Sequence, residues 1–137
     1  GRDVWSKKIF VQDAASSVPI HEKNSHASPT PLIEGERLYV HFGHQGTACL
    51  DLTGKVVWKN RDIRFDPGWG NGGSPIVVDD ALIFSCDGRT EQFVIALDKK
   101  TGKWADVLLE EAKENPTISL KLAPGSGELF KVTREKK

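Results

Sequence analysis

Self-similarity at a spacing of 44 to 53 residues constrains this chain more than any single residue does, because a repeat fixes the architecture before any element is assigned. The run Pro31-Leu32-Ile33-Glu34-Gly35-Glu36-Arg37-Leu38-Tyr39-Val40 lies over Pro75-Ile76-Val77-Val78-Asp79-Asp80-Ala81-Leu82-Ile83-Phe84, 44 residues on. Both read as a proline, two apolar residues, a polar turn and a β-rich run. Further along, Ala48-Cys49-Leu50-Asp51-Leu52-Thr53-Gly54-Lys55 matches Ile95-Ala96-Leu97-Asp98-Lys99-Lys100-Thr101-Gly102-Lys103, with one extra residue in the second copy, and the spacing grows to 48. A third trace, Gly1-Arg2-Asp3-Val4-Trp5, reads like Gly54-Lys55-Val56-Val57-Trp58, 53 residues later, so the chain opens inside a repeat.

Each copy is made of short strands. Residues 37–42, 47–51 and 55–58 in one copy, and 81–86 and 92–98 in the next, are rich in β-branched and aromatic side chains. Leu38, Val40 and Phe42 alternate with Tyr39 and His41, whereas Val94-Ile95-Ala96-Leu97 is apolar on both faces, as in a strand covered on two sides by neighbouring sheets. The turns Asp51-Leu52-Thr53-Gly54 and Asp98-Lys99-Lys100-Thr101-Gly102 set a glycine after an acceptor side chain that holds backbone amides. A period of about 40 to 50 residues, three or four short strands and a recurring Trp define an all-β fold of β-propeller blades, each an antiparallel four-stranded repeat.

The expected divisions are a partial blade over 1–5, blades over about 6–58 and 59–104, and an extension over 105–137. In that extension 105–116 has helical propensity ended by Pro116, 117–122 and 128–133 read as a hairpin, and 134–137 as a frayed basic tail. Fewer than three blades fit into 137 residues, whereas a closed propeller needs at least about four. Open edges need cover. The expectation is therefore a partial propeller, either a piece of a larger ring or one of several copies that complete it. The absence of Met favours a processed product or a piece.

Lys plus Arg number 19 and Asp plus Glu 19, a balance that gives no electrostatic reason to expect nucleic acid or an anionic membrane as partner. No run approaches the eighteen or so apolar residues of a spanning helix, and residues 1–8 lack the apolar centre of a signal peptide. Cys49 and Cys86 stand 37 residues apart with no second thiol beside either, which excludes a zinc knuckle or a CxxC pair built from sequence neighbours. Each reads as a small core residue, with a disulfide between them left open.

The pattern of a Ser-Pro start, a β-rich run and Leu-Asp-x-Thr-Gly-Lys-x-x-Trp resembles the PQQ-like repeat, the quinoprotein or tryptophan-docking repeat of bacterial β-propellers, over residues 1–104. Of the family's Ala-x-Asp-x-x-Thr-Gly-x-x-x-Trp, Ala96, Asp98, Thr101 and Gly102 fit, and Trp104 falls two positions early. In the preceding copy Cys49 takes the Ala place and the turn is one residue shorter, while Asp51, Gly54 and Trp58 hold. The resemblance implies that Trp5 and Trp58 dock between blades on turns built by Asp51, Gly54, Ala96, Asp98 and Gly102. It also implies a bacterial, extracytoplasmic protein, periplasmic or secreted. Family members that bind PQQ stack it on a Trp and a vicinal disulfide, with Ca²⁺ held by acidic and amide side chains. This sequence has no adjacent cysteine pair and no clear cluster of that kind, so PQQ is not expected.

All four histidines, His21, His26, His41 and His44, fall between positions 21 and 44. His41 and His44 are the metal candidates, although a spacing of three on a strand sets them on opposite faces, and the plainer reading is hydrogen bonding in loops and between blades. The glycine-rich stretch 66–74 precedes a strand rather than a helix and lacks Walker or Rossmann spacing. It reads instead as a crossing near the propeller axis and aligns with 23–29. Such loops line the mouth of the central channel, which makes Asn24, His26, Trp69 and Asn71 the ligand-binding candidates. His26, Asp87 and Arg89 are the candidates for chemistry.

Neither a Gly-x-Ser-x-Gly elbow, an HExxH nor a P-loop occurs. The leading expectation is a binding or assembly scaffold. The alternatives are a propeller enzyme, either a calcium-dependent hydrolase of lactones or esters or a quinoprotein-type oxidoreductase, and a self-assembling module that completes a ring.

Overall fold

The computed structural model describes residues 1–12 and 17–103, all within the compact unit Gly1–Ala105. Trp104 and the helix and hairpin expected over 105–137 lie outside the described residues. The described chain is mostly β. Strands β1 (Leu32–Glu34), β2 (Arg37–His41), β3 (Thr47–Asp51) and β4 (Val56–Asn60) form one antiparallel sheet in chain order. Strands β5 (Ile76–Val78), β6 (Ala81–Asp87) and β7 (Gln92–Asp98) form a second. Among the described residues the only helical segment is a 3-10 turn at Gly43–Gln45, and no helix is long and apolar enough to cross a membrane.

The repeat is visible in the pairing. Leu32 faces Tyr39 across β1 and β2, and Ile76 faces Ile83 across β5 and β6, so both partners have moved by 44 residues. The copies then diverge: β6 and β7 are seven residues long where β2 and β3 are five. The expected strands at 47–51 and 92–98 match β3 and β7, while β4 runs on to Asn60. Strands β1 and β5, three residues each between a proline and a tight turn, are too short for alternation to mark them in the sequence. Phe42, expected in a strand, leaves β2 because the chain turns there. Its carbonyl accepts from the Gln45 amide at 3.2 Å and its amide donates to Gly46 O at 2.9 Å.

The two sheets share a core. Tyr39, Cys49 and Trp58 come from the first, Ile63 from the connection, and Leu82, Phe84, Cys86, Ile95 and Leu97 from the second. Alternation dictates this set: Tyr39 and His41 are the buried members of β2, and Leu82, Phe84 and Cys86 those of β6. Each large apolar side chain buried in this way contributes about 2 kcal/mol. Both cysteines are free and buried, which answers the open pairing, and burial pushes the Cys86 thiol up to about 12.

Trp58 joins the two sheets through a contact that occurs a second time earlier in the chain. The Trp58 indole donates from Nε1 to Lys99 O at 2.9 Å, and its ring lies so close to Gly102 that a Cβ there would stand 2.4 Å from Trp58 Cε3. The turn beneath it is held by Asp98 Oδ1, which accepts from the amides of Lys100 and Thr101 and from Thr101 Oγ1 at 3.0, 2.7 and 2.8 Å. Asn60 Nδ2 adds a bond to Gly102 O at 2.7 Å. One copy earlier, Trp5 Nε1 donates to Leu52 O at 2.9 Å and its ring covers Gly54. There Asp51 Oδ1 accepts from Thr53 N, Thr53 Oγ1 and Lys55 N at 2.9, 2.6 and 3.0 Å. These bonds, the threonine hydroxyl first, hold both carboxyls below the usual carboxylate range. Trp58 is 8% exposed and Trp5 38%.

Gly102 and Gly35 separate two effects of a side chain at positive φ. Gly102 has φ +70 and faces the indole, whereas Gly35 has φ +55 and nothing within 4 Å. Gly35→Ala is expected to cost about 1 to 2 kcal/mol from backbone strain alone. Gly102→Ala adds overpacking against Trp58, for a total of about 2 to 5 kcal/mol by urea denaturation. Equal losses would contradict the docking contact.

Candidate functional site

Three loops converge beside the shared core: 21–28, the 3-10 turn with its flanks at 43–46, and the glycine-rich stretch 66–73. The first folds on its own polar side chains, with Asn24 Oδ1 accepting from the Ser25 amide at 2.8 Å and from Ser28 Oγ. The Asn24 Nδ2 group then donates to Trp69 O at 2.7 Å, tying the first loop to the third. His21 packs against Trp69 with ring centroids 5.0 Å apart. The second loop meets the third at Gly43, where a Cβ would stand 2.7 Å from Asn71 Cβ. It meets the first through His44 and His26, whose rings lie 5.2 Å apart at 67°.

The four ligand-binding candidates are therefore placed on one connected loop cluster. Asn24 and Trp69 are bonded, Asn71 lies one residue from the Trp69-Gly70 turn, and His26 touches His44. Asn71 is 3% exposed; its Nδ2 donates to Gly73 O at 3.4 Å, and its Oδ1 has no partner. His44 is 6% exposed with Nε2 unpartnered. Burial first, then the positive charges of His26 and Arg64, push the His44 pKa below the ordinary imidazole value, against an opposing pull from Asp66.

The candidates for chemistry are less close-knit. Arg89 reaches the third loop, pairing its Nε with Asp66 Oδ2 at 3.8 Å and donating its amide to Asp66 O at 2.8 Å. Asp87 ends β6, where its carboxylate accepts from Ser85 Oγ at 3.3 Å. No group of three His, Cys, Asp or Glu side chains is arranged for a metal among the described residues.

His41 and His44, weighed together as metal candidates, have different surroundings. Since β2 ends at His41, the strand-spacing argument does not reach His44. His41 points into the core, where its ring lies 4.1 Å from that of Phe84 and its Nδ1 is 2.8 Å from Thr47 Oγ1. Its Nε2 has no partner. The ring contact of His44 is with His26 instead. The parts of the cluster that sequence reading missed are Arg64 and the turn that carries His44. No motif marks them, because only the closure of three distant loops brings them together.

No protein-family model matches the sequence, and no curated protein matches it either.

Burial pushes the His41 pKa down to about 4, which makes stability depend on pH. Above about pH 6.5 the imidazole is neutral in both the folded and unfolded chain. As pH falls the unfolded chain takes the proton first, so stability drains away between about 6.5 and 4, by about 3 kcal/mol in all. His44, also lowered, adds to the same slope. Asp51 and Asp98, lowered carboxyls, lose their contribution only at more acid pH. His41→Phe is expected to flatten part of the slope across pH 6.5 to 4 in urea titrations at stepped pH. An unchanged slope would show that His41 is not the buried base.

Proposed function

We propose that this chain is a run of PQQ-like β-propeller repeats that works as a binding or assembly scaffold outside the cytoplasm, its open sheet ends covered by further repeats of the same kind. In the isolated chain, further copies of itself supply that cover. The observation that carries this reading is the recurrence of one docking contact. Trp5 on the Gly54 turn and Trp58 on the Gly102 turn repeat the same indole-to-carbonyl hydrogen bond and the same ring-on-glycine packing, one sequence repeat apart. A contact that joins each unit to the next, and is not exhausted inside one unit, suits a structure built by stacking.

The surface supports the need for cover. Ile76 and Val78 on β5, Val57 on β4 and Ile33 on β1 are exposed apolar side chains on short strands. All three strands lie at the edge of a sheet, and their outer backbone groups have no strand partner among the described residues. The loop cluster of Asn24, His26, Trp69 and Asn71 is where such a scaffold would hold a small molecule.

Light scattering on the isolated chain is expected to give a discrete multiple of 15.1 kDa, and Trp58→Ala to reduce it. A stable monomer of 15.1 kDa would contradict the reading.

A further inference from the structure

The loop cluster brings two imidazoles from different loops against one another. We propose that His26 and His44, with Asn71 Oδ1, form a site for a divalent transition-metal cation of the zinc type. Three observations carry it. The rings stand 5.2 Å apart, centroid to centroid, at a steep angle of 67°. A tetrahedral ion bound by two imidazole nitrogens at about 2.0–2.1 Å holds the ring centroids roughly 5 Å apart, which is the separation of these two rings.

The second observation is the pair of polar atoms left without partners. His44 Nε2 and Asn71 Oδ1 belong to side chains 6% and 3% exposed, and neither atom has a hydrogen bond. Burying an unpaired polar atom costs on the order of 1–3 kcal/mol, which a bound ion would relieve. An ion satisfies both at once, because imidazole nitrogen and amide oxygen are acceptors and both serve as metal donors. The contact of their two loops is the third: Gly43, which precedes His44 in the chain, lies against Asn71 so closely that a Cβ would stand 2.7 Å from Asn71 Cβ.

The donor set also selects the ion. Two imidazoles suit zinc, nickel or copper, whereas calcium takes about six to eight oxygen ligands, which this cluster does not offer. Two side-chain nitrogens and one amide oxygen leave at least one coordination position for water or for a ligand's own donor, the arrangement of an open rather than a closed site. His41 stands apart from this pair, since its ring lies on Phe84 in the core while His26 and His44 lie on each other.

The test is calorimetric titration of the full chain with zinc chloride, alongside thermal unfolding with zinc and, separately, calcium. The expected result is one saturable zinc ion per chain, a zinc-dependent rise in Tm, and no response to calcium. His44→Gln and His26→Gln are each expected to weaken zinc at least tenfold. His26 lies nearer the surface than His44, so His26→Gln decides the question should the buried substitution unfold the chain. Absence of saturable zinc binding, zinc affinity of wild-type strength in His26→Gln, or an equal response to calcium would each overturn the proposal.

Discussion

The Trp58 indole rests on a turn that only glycine closes, and the rest of the structure depends on that fit. The turn must place Gly102 at φ +70 to bring Lys99 O to the indole N–H, and the same glycine leaves the ring its place. Burying a Trp is worth about 3–5 kcal/mol by truncation, while the single hydrogen bond is worth about 1 kcal/mol, so packing sets the strength of the contact and the bond sets its register. Asp98 acts one step back, gathering two amides and a hydroxyl so that the turn has its shape before the ring arrives. Asp51 does the same beneath Trp5.

With the sheets coupled in this way, the remaining architecture follows. Tyr39, Cys49 and Trp58 meet Leu82, Phe84, Ile95 and Leu97 in one core, and the chain has to carry loops between the sheets at the ends of the strands. The stretches 23–29 and 66–74 precede β1 and β5, the first strands of the two copies, and they meet where Asn24 Nδ2 donates to Trp69 O. The amide of Thr30 donating to Ser74 Oγ at 2.9 Å, across 44 residues, is a direct sign of that alignment. The loop cluster is thus a product of the repeat. Its polar side chains come from residues that turns require, as Asn24 shows by holding its own loop while bonding Trp69.

Much of the fold was legible because its determinants are local. The alternation of Tyr39 and His41 with their neighbours, the two-faced apolar run of β7 and the Asp-to-Gly turns are all written within a few residues. Trp5 and Trp58 were legible for a different reason, since repetition marks the two positions. What escaped was short or non-local. The 3-10 turn after His41 rests on backbone bonds around Gly43, and nothing in the spacing of His26 and His44, eighteen positions apart, foretells that their rings touch. Likewise Asp66 and Arg89 meet only because the hairpin of β6 and β7 folds back over the third loop.

The most direct test of the docking contact is hydrogen exchange at the indole N–H groups, followed by NMR on the native chain. Trp58 Nε1–H, bonded to Lys99 O beneath a largely buried ring, is expected to exchange only through global unfolding, and far more slowly than that of Trp69, whose ring is exposed. Exchange of Trp58 at the rate of Trp69 would mean that the indole is not held on the Gly102 turn, and would contradict the coupling of the two sheets on which the structure is built.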